Sequence, residues 1–196
     1  YSAIVIDADS GEVLFSRRAD QRRYPASLTK MMTLYQIFTA LEEGELKLNQ
    51  KLKVSRRAAG QTPSKIGLKR GSYITLEKAI IAVAVKSAND AATVLAESLG
   101  ESEFDFALRM TETARNLGMK NTRFRNASGL PNRRQRSTAR DMALLSKALI
   151  EQFPQYYHYF SIPKFKWGKR TFYTHNKLLR KFRGMDGLKT GYIRAS

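Results

Sequence analysis

Hydrophobic positions divide the chain into strand-like ends and a helical middle. Two short apolar runs, 3–6 and 13–16, flank Asp9-Ser10-Gly11. Apolar runs separated by such turn residues predict a β-hairpin. Strand patterns return near the other end, at 164–167, 171–173 and 185–192. We therefore expect the two ends to pair into one sheet.

The middle of the chain is dominated by helical patterns. Apolar side chains from 28 to 41 surround most of a helix that Gly44 ends, so this helix should be largely buried. Polar, irregular sequence follows up to Ser72. Further helices are then predicted from their capping and stop residues, over 76–86 (cap Thr75), 91–99 (cap Asp90), 103–117 (cap Ser102, stop Gly118) and 138–153 (stop Pro154). The pattern favours a sheet-bearing lobe made of 1–44 and 160–196 and a mostly helical lobe made of 45–159.

Composition removes several kinds of chemistry. The 196 residues include no cysteine, which excludes disulfides, iron–sulfur clusters, thiolate zinc sites and a cysteine nucleophile. Only two histidines occur, His158 and His175, and we interpret both as structural. We therefore expect neither a metal nor a cofactor. The sequence also contains no uninterrupted run of about 18 apolar residues, the length that a membrane span needs.

The formal net charge is +18, and it is unevenly distributed. Residues 1–98 carry 15 basic and 10 acidic side chains, whereas 99–196 carry 20 and 7. In 164–183, cations and aromatic side chains interleave without an acid, which resembles a surface for single-stranded nucleic acid. Strand alternation explains the same pattern as a hairpin with aromatics facing the core and lysines facing water. We favour the hairpin and expect no nucleic-acid partner, while the charge would attract an anionic polymer or a membrane surface.

Ser27 and Lys30 stand three residues apart at the start of the buried helix. This spacing places both side chains on one helix face. A neutral Lys30 could accept the hydroxyl proton of Ser27, and desolvation lowers the pKa of a lysine. A capping serine beside a surface lysine would give the same spacing, but an apolar helix leaves the lysine little access to water.

Two more short segments carry polar side chains that could relay a proton or bind a substrate. Ser87-Ala88-Asn89 interrupts two apolar helical runs, either as a simple helix corner or as a proton relay with an amide that holds a substrate carbonyl. Lys189-Thr190-Gly191 lies in the last strand pattern. Lysine and threonine there can bind a carboxylate, and the glycine allows another backbone to approach closely.

Together and in this order, the three segments resemble the low-molecular-mass penicillin-binding proteins, the serine D-alanyl-D-alanine carboxypeptidases. The resemblance covers almost the whole chain. It includes the segments 4–11, 25–30, 87–92, 126–130 and 186–191. It implies an α/β (α+β) fold of the beta-lactamase/transpeptidase type, with an antiparallel sheet flanked by helices, an all-helical lobe, and the active site in the cleft between the lobes.

The resemblance also implies residue roles. Ser27 would be the nucleophile and Lys30 its general base. Ser87 would pass a proton to the leaving D-alanine, Asn89 would bind the substrate amide and steady Lys30, and Lys189 would complete the electrostatic setting. Substrate binding would fall to Thr190, which holds the terminal carboxylate, together with Gly191 and Tyr192; the backbone N–H groups of Ser27 and Tyr192 would form the oxyanion hole.

The implied substrate is the peptidoglycan pentapeptide stem, and beta-lactam antibiotics would acylate the same serine. A serine beta-lactamase of the same fold is the alternative. Its best-known class uses a glutamate in the loop before the Lys-Thr-Gly strand. No acidic residue occurs between Arg115 and Arg140, which favours the peptidase and leaves the deacylation base unassigned.

Two further expectations concern the whole protein. The resemblance implies an extracytoplasmic location in the bacterial cell envelope, with association at a membrane surface. Because members of this family continue beyond the Lys-Thr-Gly strand with further strands, we expect a remaining C-terminal segment of the same protein to complete the sheet.

Overall fold

The computed structural model describes residues 1–100 and 102–192. The strands are β1 (Ala3–Ile6), β2 (Val13–Arg17), β3 (Lys51–Lys53), β4 (Tyr73–Thr75), β5 (Lys164–Trp167) and β6 (Arg170–Tyr173). The helices are α1 (Thr29–Glu42), α2 (Arg56–Ala59), α3 (Leu76–Ile81), α4 (Asn89–Leu99), α5 (Glu103–Asn116), α6 (Ala139–Gln152), α7 (Pro154–Tyr157) and α8 (Leu178–Lys181). Two 3-10 turns, Ala26–Leu28 and His158–Ser161, and one π-helical turn, Ala82–Lys86, join them.

Helix α1 lies at the centre of the molecule, as its apolar pattern predicts. Met32, Leu34, Ile37 and Phe38 are fully buried, and α4, α5 and α6 all pack against the helix. Burial on every side leaves no solvated face, which explains why apolar residues surround it instead of forming one stripe. Side chains in the first turn of α1 are therefore held on a rigid element.

Helix starts predicted from capping residues are confirmed at two places. The side chains of Thr75 and Ser102 each accept the N–H group three residues ahead. Thr138, where the predicted run 138–153 begins, also caps its helix, since its hydroxyl accepts the Asp141 N–H at 3.0 Å. The predicted run over 76–86 is one helical segment whose last turn, Ala82–Lys86, is π-helical.

The predicted cap at Asp90 is wrong. Helix α4 begins at Asn89, two residues before the predicted start at 91. The buried carboxylate of Asp90 accepts from the backbone N–H groups of Ile66, Gly67 and Leu68, at 3.2, 2.9 and 3.0 Å. Asp90 thus fixes a neighbouring loop instead of opening its own helix. A carboxylate is a good acceptor in both settings, so the local sequence does not distinguish them.

The strands form three separate antiparallel pairs, β1 with β2, β3 with β4 and β5 with β6. The prediction of one sheet joining the two chain ends is therefore wrong for the described residues. The predicted strand over 185–192 is also absent there: this stretch is irregular, and Asn176 Nδ2 donates to the carbonyl of Gly187 at 3.0 Å. An apolar run becomes a strand only beside a neighbour that pairs with it, and the described residues offer this one none.

The β5–β6 hairpin confirms the alternation predicted for its cations. Phe165 is buried, whereas Lys164 and Lys166 are exposed. Strand β3 and helix α2 lie within the stretch up to Ser72 that was predicted to be irregular, and β4 follows directly after it. No described helix is both long and apolar enough to cross a membrane. The division into two lobes stays a prediction.

Candidate active site

Ser27 lies in the 3-10 turn that leads into α1, and Lys30 lies in the first turn of α1. Lys30 is fully buried. Its Nζ atom is 3.3 Å from Ser27 Oγ and 2.8 Å from Asn89 Oδ1, and it also contacts the carbonyl oxygen of Ser128. The structure thus brings the predicted serine, lysine and asparagine together.

Burial strongly lowers the pKa of Lys30, and the nearby charge of Lys189 lowers it further. Removal from water disfavours the charged amine, and a second cation acts in the same direction. A neutral amine has two N–H groups and one lone pair. Asn89 Oδ1 and the Ser128 carbonyl accept those two hydrogens, so the lone pair is left for the hydroxyl of Ser27.

Hydrogen bonding fixes the orientation of the Asn89 amide. Its Nδ2 atom donates to the carbonyl of Thr62 at 3.2 Å, an acceptor that could not pair with Oδ1. The Asn89 oxygen must therefore face Lys30, because the amide nitrogen is already directed at Thr62.

Ser87 follows the π-helical turn in a left-handed conformation, with φ of 58°. Its Oγ atom is buried and has no hydrogen-bond partner among the described residues. A non-glycine residue in this region costs of order 1–3 kcal/mol, and such strain concentrates at functional sites. The strained backbone of Ser87 thus places at the cleft a hydroxyl that has no hydrogen-bond partner among the described residues.

One cleft of about 380 Å³ collects most of the predicted polar groups. It is lined by Ser27, Ser64, Ser87, His175, Thr190, Gly191 and Tyr192. Its volume lies within the roughly 300–1,000 Å³ that is usual for small-molecule sites. Lys30 and Asn89 lie behind its wall, where Lys30 contacts both Ser27 and Asn89.

The Lys189-Thr190-Gly191 segment passes directly over the start of α1. A Cβ at Gly191 would lie 3.2 Å from the Ser27 nitrogen and 3.3 Å from the Leu28 nitrogen, so a side chain there would need the backbone to shift by a few tenths of an ångström. The close approach of two backbones therefore favours glycine at this position. Lys189 Nζ donates to the Thr190 carbonyl at 2.8 Å, and burial of the ammonium group lowers its pKa to about 8.

The loop 126–130 holds the other side of the site, a role that sequence reasoning did not assign. Gly129 has a φ of +80°, and a side chain there would overlap the carbonyl of Ala26. Asn126 Oδ1 accepts from the Gly129 N–H at 2.7 Å, which keeps the turn in shape. In this position the carbonyl of Ser128 reaches Lys30.

Sequence reasoning also missed two cleft residues. Ser64 donates to the Lys86 carbonyl at 3.0 Å, and its own carbonyl accepts from Asn89 N at 2.7 Å. His175 was interpreted as structural, yet its side chain lines the cleft. Burial lowers the pKa of His175, and Lys86 and Lys189 lower it further. The sequence around Ser64 and His175 contains no pattern that indicates a contact with distant segments of the chain.

The arrangement provides a hydroxyl beside a buried amine whose pKa is lowered, a second hydroxyl at the cleft, and a cation near the amine. Serine hydrolases in which lysine replaces histidine as the base use such a set of groups. The model of the D-alanyl-D-alanine carboxypeptidase family matches residues 1–196, and the chain belongs to that family.

Curated relatives agree with this membership. The chain is 35% identical over 202 residues to the D-alanyl-D-alanine carboxypeptidase DacF of Bacillus subtilis, which covers 97% of this chain and 50% of the relative. It is 36% identical over 198 residues to DacA of Escherichia coli, at 97% and 49% coverage. The chain therefore spans about half the length of the curated relatives it matches.

Solved structures show the same fold. Penicillin-binding protein 5 from Haemophilus influenzae superposes with a TM-score of 0.94 at 34% identity, covering 98% of this chain and 57% of that one. Penicillin-binding protein D2 from Listeria monocytogenes, solved in an ampicillin-bound form, gives 0.88 at 32% identity, covering 99% and 79%. The predicted fold class is confirmed.

Proposed function

We propose that the chain carries the reaction centre of a serine-type D-alanyl-D-alanine carboxypeptidase. It would remove the terminal D-alanine of peptidoglycan stem peptides through an acyl-enzyme on Ser27. The observation that carries the proposal is the contact between Ser27 Oγ and the buried Lys30 amine, whose two N–H groups have other acceptors.

In the first step, Ser27 Oγ attacks the carbonyl carbon of the penultimate D-alanine, and Lys30 takes the hydroxyl proton. The carbonyl oxygen becomes an oxyanion that accepts from the backbone N–H groups of Ser27 and Tyr192. The close approach of Gly191 to the Ser27 nitrogen supports this pairing. Donors fixed before charge develops are often the largest catalytic contribution, about 3–4 kcal/mol for each one lost.

In the second step, the carbon–nitrogen bond breaks and Ser87 relays the proton to the leaving D-alanine nitrogen. Thr190 holds the terminal carboxylate, and the cation of Lys189 contributes to the electrostatic setting of the Lys30 amine. Water then cleaves the ester, which regenerates the Ser27 hydroxyl and releases the shortened peptide. Ser87 suits the relay because its buried Oγ atom has no competing partner among the described residues.

A beta-lactam would acylate the same serine, and the rate of its release separates the peptidase from the beta-lactamase alternative. None of the described residues that line the cleft is Asp or Glu. Without a carboxylate there to activate water, the adduct should decay slowly. This observation favours the peptidase.

The test is mass spectrometry of the protein after incubation with ampicillin. We expect a mass gain of one opened antibiotic that persists, and no gain in Ser27→Ala, because only Ser27 has the lysine base. Ser161→Ala, which removes an exposed hydroxyl bonded to the His158 carbonyl, is the matched control and should keep the adduct. A gain that survives Ser27→Ala, or an adduct lost within seconds, would contradict the proposal.

The setting that fits this activity is the bacterial cell envelope, outside the cytoplasm. The relatives named above come from bacteria, and their names describe carboxypeptidases of D-alanyl-D-alanine. The net charge of +18 also suits an anionic wall or lipid surface. Association with such a surface belongs to the proposal and is tested below.

A further inference from the structure

A second cavity, of about 470 Å³, lies apart from the cleft that contains Ser27. Six cations line it: Arg22, Arg115, Lys120, Arg123, Arg134 and Arg136. The remaining lining residues are the neutral Thr111, Asn121 and Thr122. Within the described part of the chain, none of these six cations makes a salt bridge. The cavity therefore concentrates positive charge that the protein itself does not balance.

The backbone places two of these cations directly opposite each other. Arg123 and Arg136 form an isolated antiparallel bridge, in which each N–H donates to the carbonyl of the other at 2.9 and 3.1 Å. Like charges at opposed positions are destabilising. Fold stability alone would favour an acid at one of the two positions.

Repulsion extends to a further guanidinium beside the cavity. Arg125 Nε is buried without a hydrogen-bond partner among the described residues. Burial lowers the pKa of Arg125, and the charges of Arg123 and Arg134 lower it further. Several guanidinium groups thus share one region at an electrostatic cost.

Other contacts hold two of the lining guanidinium groups in place. Arg136 stacks on the ring of Tyr24 at 3.5 Å and donates to its hydroxyl at 2.7 Å. Arg22 donates to Asn121 Oδ1 through Nε and Nη2, at 3.3 and 3.1 Å. Side chains that are already ordered lose less entropy when they bind a ligand.

The nearby carboxylate of Asp141 does not neutralise these cations. Its Oδ2 atom accepts from the Asn121 N–H at 2.9 Å and from the Thr122 hydroxyl at 2.6 Å. Asp141 is buried beneath the wall and fixes the backbone that forms it. Arg115, in the last turn of α5, also interacts favourably with the helix dipole, so the unexplained charge lies mainly on the other five cations.

We propose that this cavity binds a multivalent phosphate anion. Guanidinium forks match the oxygen geometry of phosphate, and several phosphate charges are needed to balance six cations. The phosphate groups would come either from a soluble oligophosphate or from the headgroups of an anionic lipid surface. This inference does not depend on the reaction proposed for Ser27.

The test is calorimetric titration of the full chain with inorganic tripolyphosphate, with citrate as a carboxylate control. We expect tripolyphosphate to bind more tightly than citrate. Arg123→Gln/Arg134→Gln should weaken tripolyphosphate binding by roughly tenfold or more, because it removes two charge-assisted contacts. Lys51→Gln/Lys53→Gln removes the same charge from exposed positions on β3 and should leave the affinity unchanged.

Equal weakening in both double variants, no weakening in either, or equal binding of citrate would overturn the proposal. Thermal unfolding checks that Arg123→Gln/Arg134→Gln is folded, and the single variant Arg134→Gln provides a milder second test. Vesicles of phosphatidylglycerol, compared with phosphatidylcholine, separate the two phosphate sources. If Arg123→Gln/Arg134→Gln loses vesicle binding, lipid headgroups are the supported source. If it loses tripolyphosphate binding alone, a soluble anion is supported.

Discussion

At the scale of single residues, the central feature is a lysine that the fold removes completely from water. Lys30 is fully buried, yet no carboxylate pairs with it among the described residues. Burying an unpaired charge is costly, and burial therefore lowers the pKa of Lys30 well below its usual value. Because Asn89 Oδ1 and the Ser128 carbonyl both contact its Nζ atom, the fold also orients the amine.

The two lysines of the site lead to a prediction about pH. Lys30 acts as a base only when neutral, so acylation should rise as pH rises through its lowered pKa. Lys189, with a pKa of about 8, should lose its charge above that pH, and acylation should fall again. From pH 8 to 9 the charged fraction of Lys189 drops roughly fivefold.

Lys189→Arg tests this assignment, because a guanidinium stays charged throughout the range. We expect the variant to lose the alkaline fall in a profile of fluorescent penicillin labelling, whatever its absolute rate. The rise at lower pH should remain, since the variant keeps a cation near Lys30. An unchanged alkaline fall would show that another group titrates there.

At the scale of elements, Asp90 joins α4 to the loop beside the cleft. Its carboxylate accepts three consecutive loop N–H groups, those of residues 66–68. The adjacent Ser64 carbonyl accepts the N–H of Asn89. The position of the amide that faces Lys30 thus depends on a loop that a single buried carboxylate organises.

We predict that Asp90→Ala destabilises the protein by about 2–4 kcal/mol, since it leaves buried donors unpaired and removes charge-assisted bonds. Urea unfolding measures the change. Asp9→Ala, at an exposed position, is the control and should stay within about 0.5 kcal/mol. If both variants unfold at the same urea concentration, Asp90 does not organise the loop as described.

Local signals predicted much of the element pattern. The buried course of α1 follows from apolar spacing, and the starts of α3 and α5 follow from Thr75 and Ser102, because these signals depend on neighbouring residues. Strands were less predictable. The short β3 and β4 were missed, and 185–192 was wrongly assigned, because a strand needs a partner that sequence spacing does not reveal.

The candidate site was predictable to the extent that its residues form short motifs. The Ser27–Lys30 spacing indicated the pair, and resemblance to a family supplied Ser87, Asn89 and Lys189. The Ser128 carbonyl, Ser64 and His175 were not found, because their contribution depends on tertiary contacts between distant segments. Catalytic roles for all of these residues stay predictions until variants are measured.

At the scale of the whole molecule, positive charge is the dominant property. The net charge is +18, and the segment 164–183 contributes eight cations and no acid. Within strands β5 and β6, Lys164, Lys166 and Arg170 are exposed to solvent, whereas Phe165 is buried. Surface fields of this kind act over about 8–10 Å at moderate salt, so they attract extended anionic surfaces.

We predict that Lys164→Glu/Lys166→Glu weakens association with bacterial envelope fractions, and that the difference shrinks as salt is raised. The fold should be unaffected because both side chains are exposed. Sedimentation with envelope material at several salt concentrations measures the effect. Lys51→Glu/Lys53→Glu, which changes the net charge equally, is expected to have a smaller effect. Identical sedimentation of the unmodified protein and both double variants would contradict the proposed association.

The contact between Gly129 and the Ala26 carbonyl also bears on how reactivity is controlled. The loop that holds the Lys30 amine presses on the turn that carries Ser27, with no room for even a methyl group between them. This contact therefore helps to set the spacing between Ser27 and Lys30 from outside the cleft. Mutations or ligands that shift this loop would change the proposed reactivity of Ser27 without entering the cleft itself.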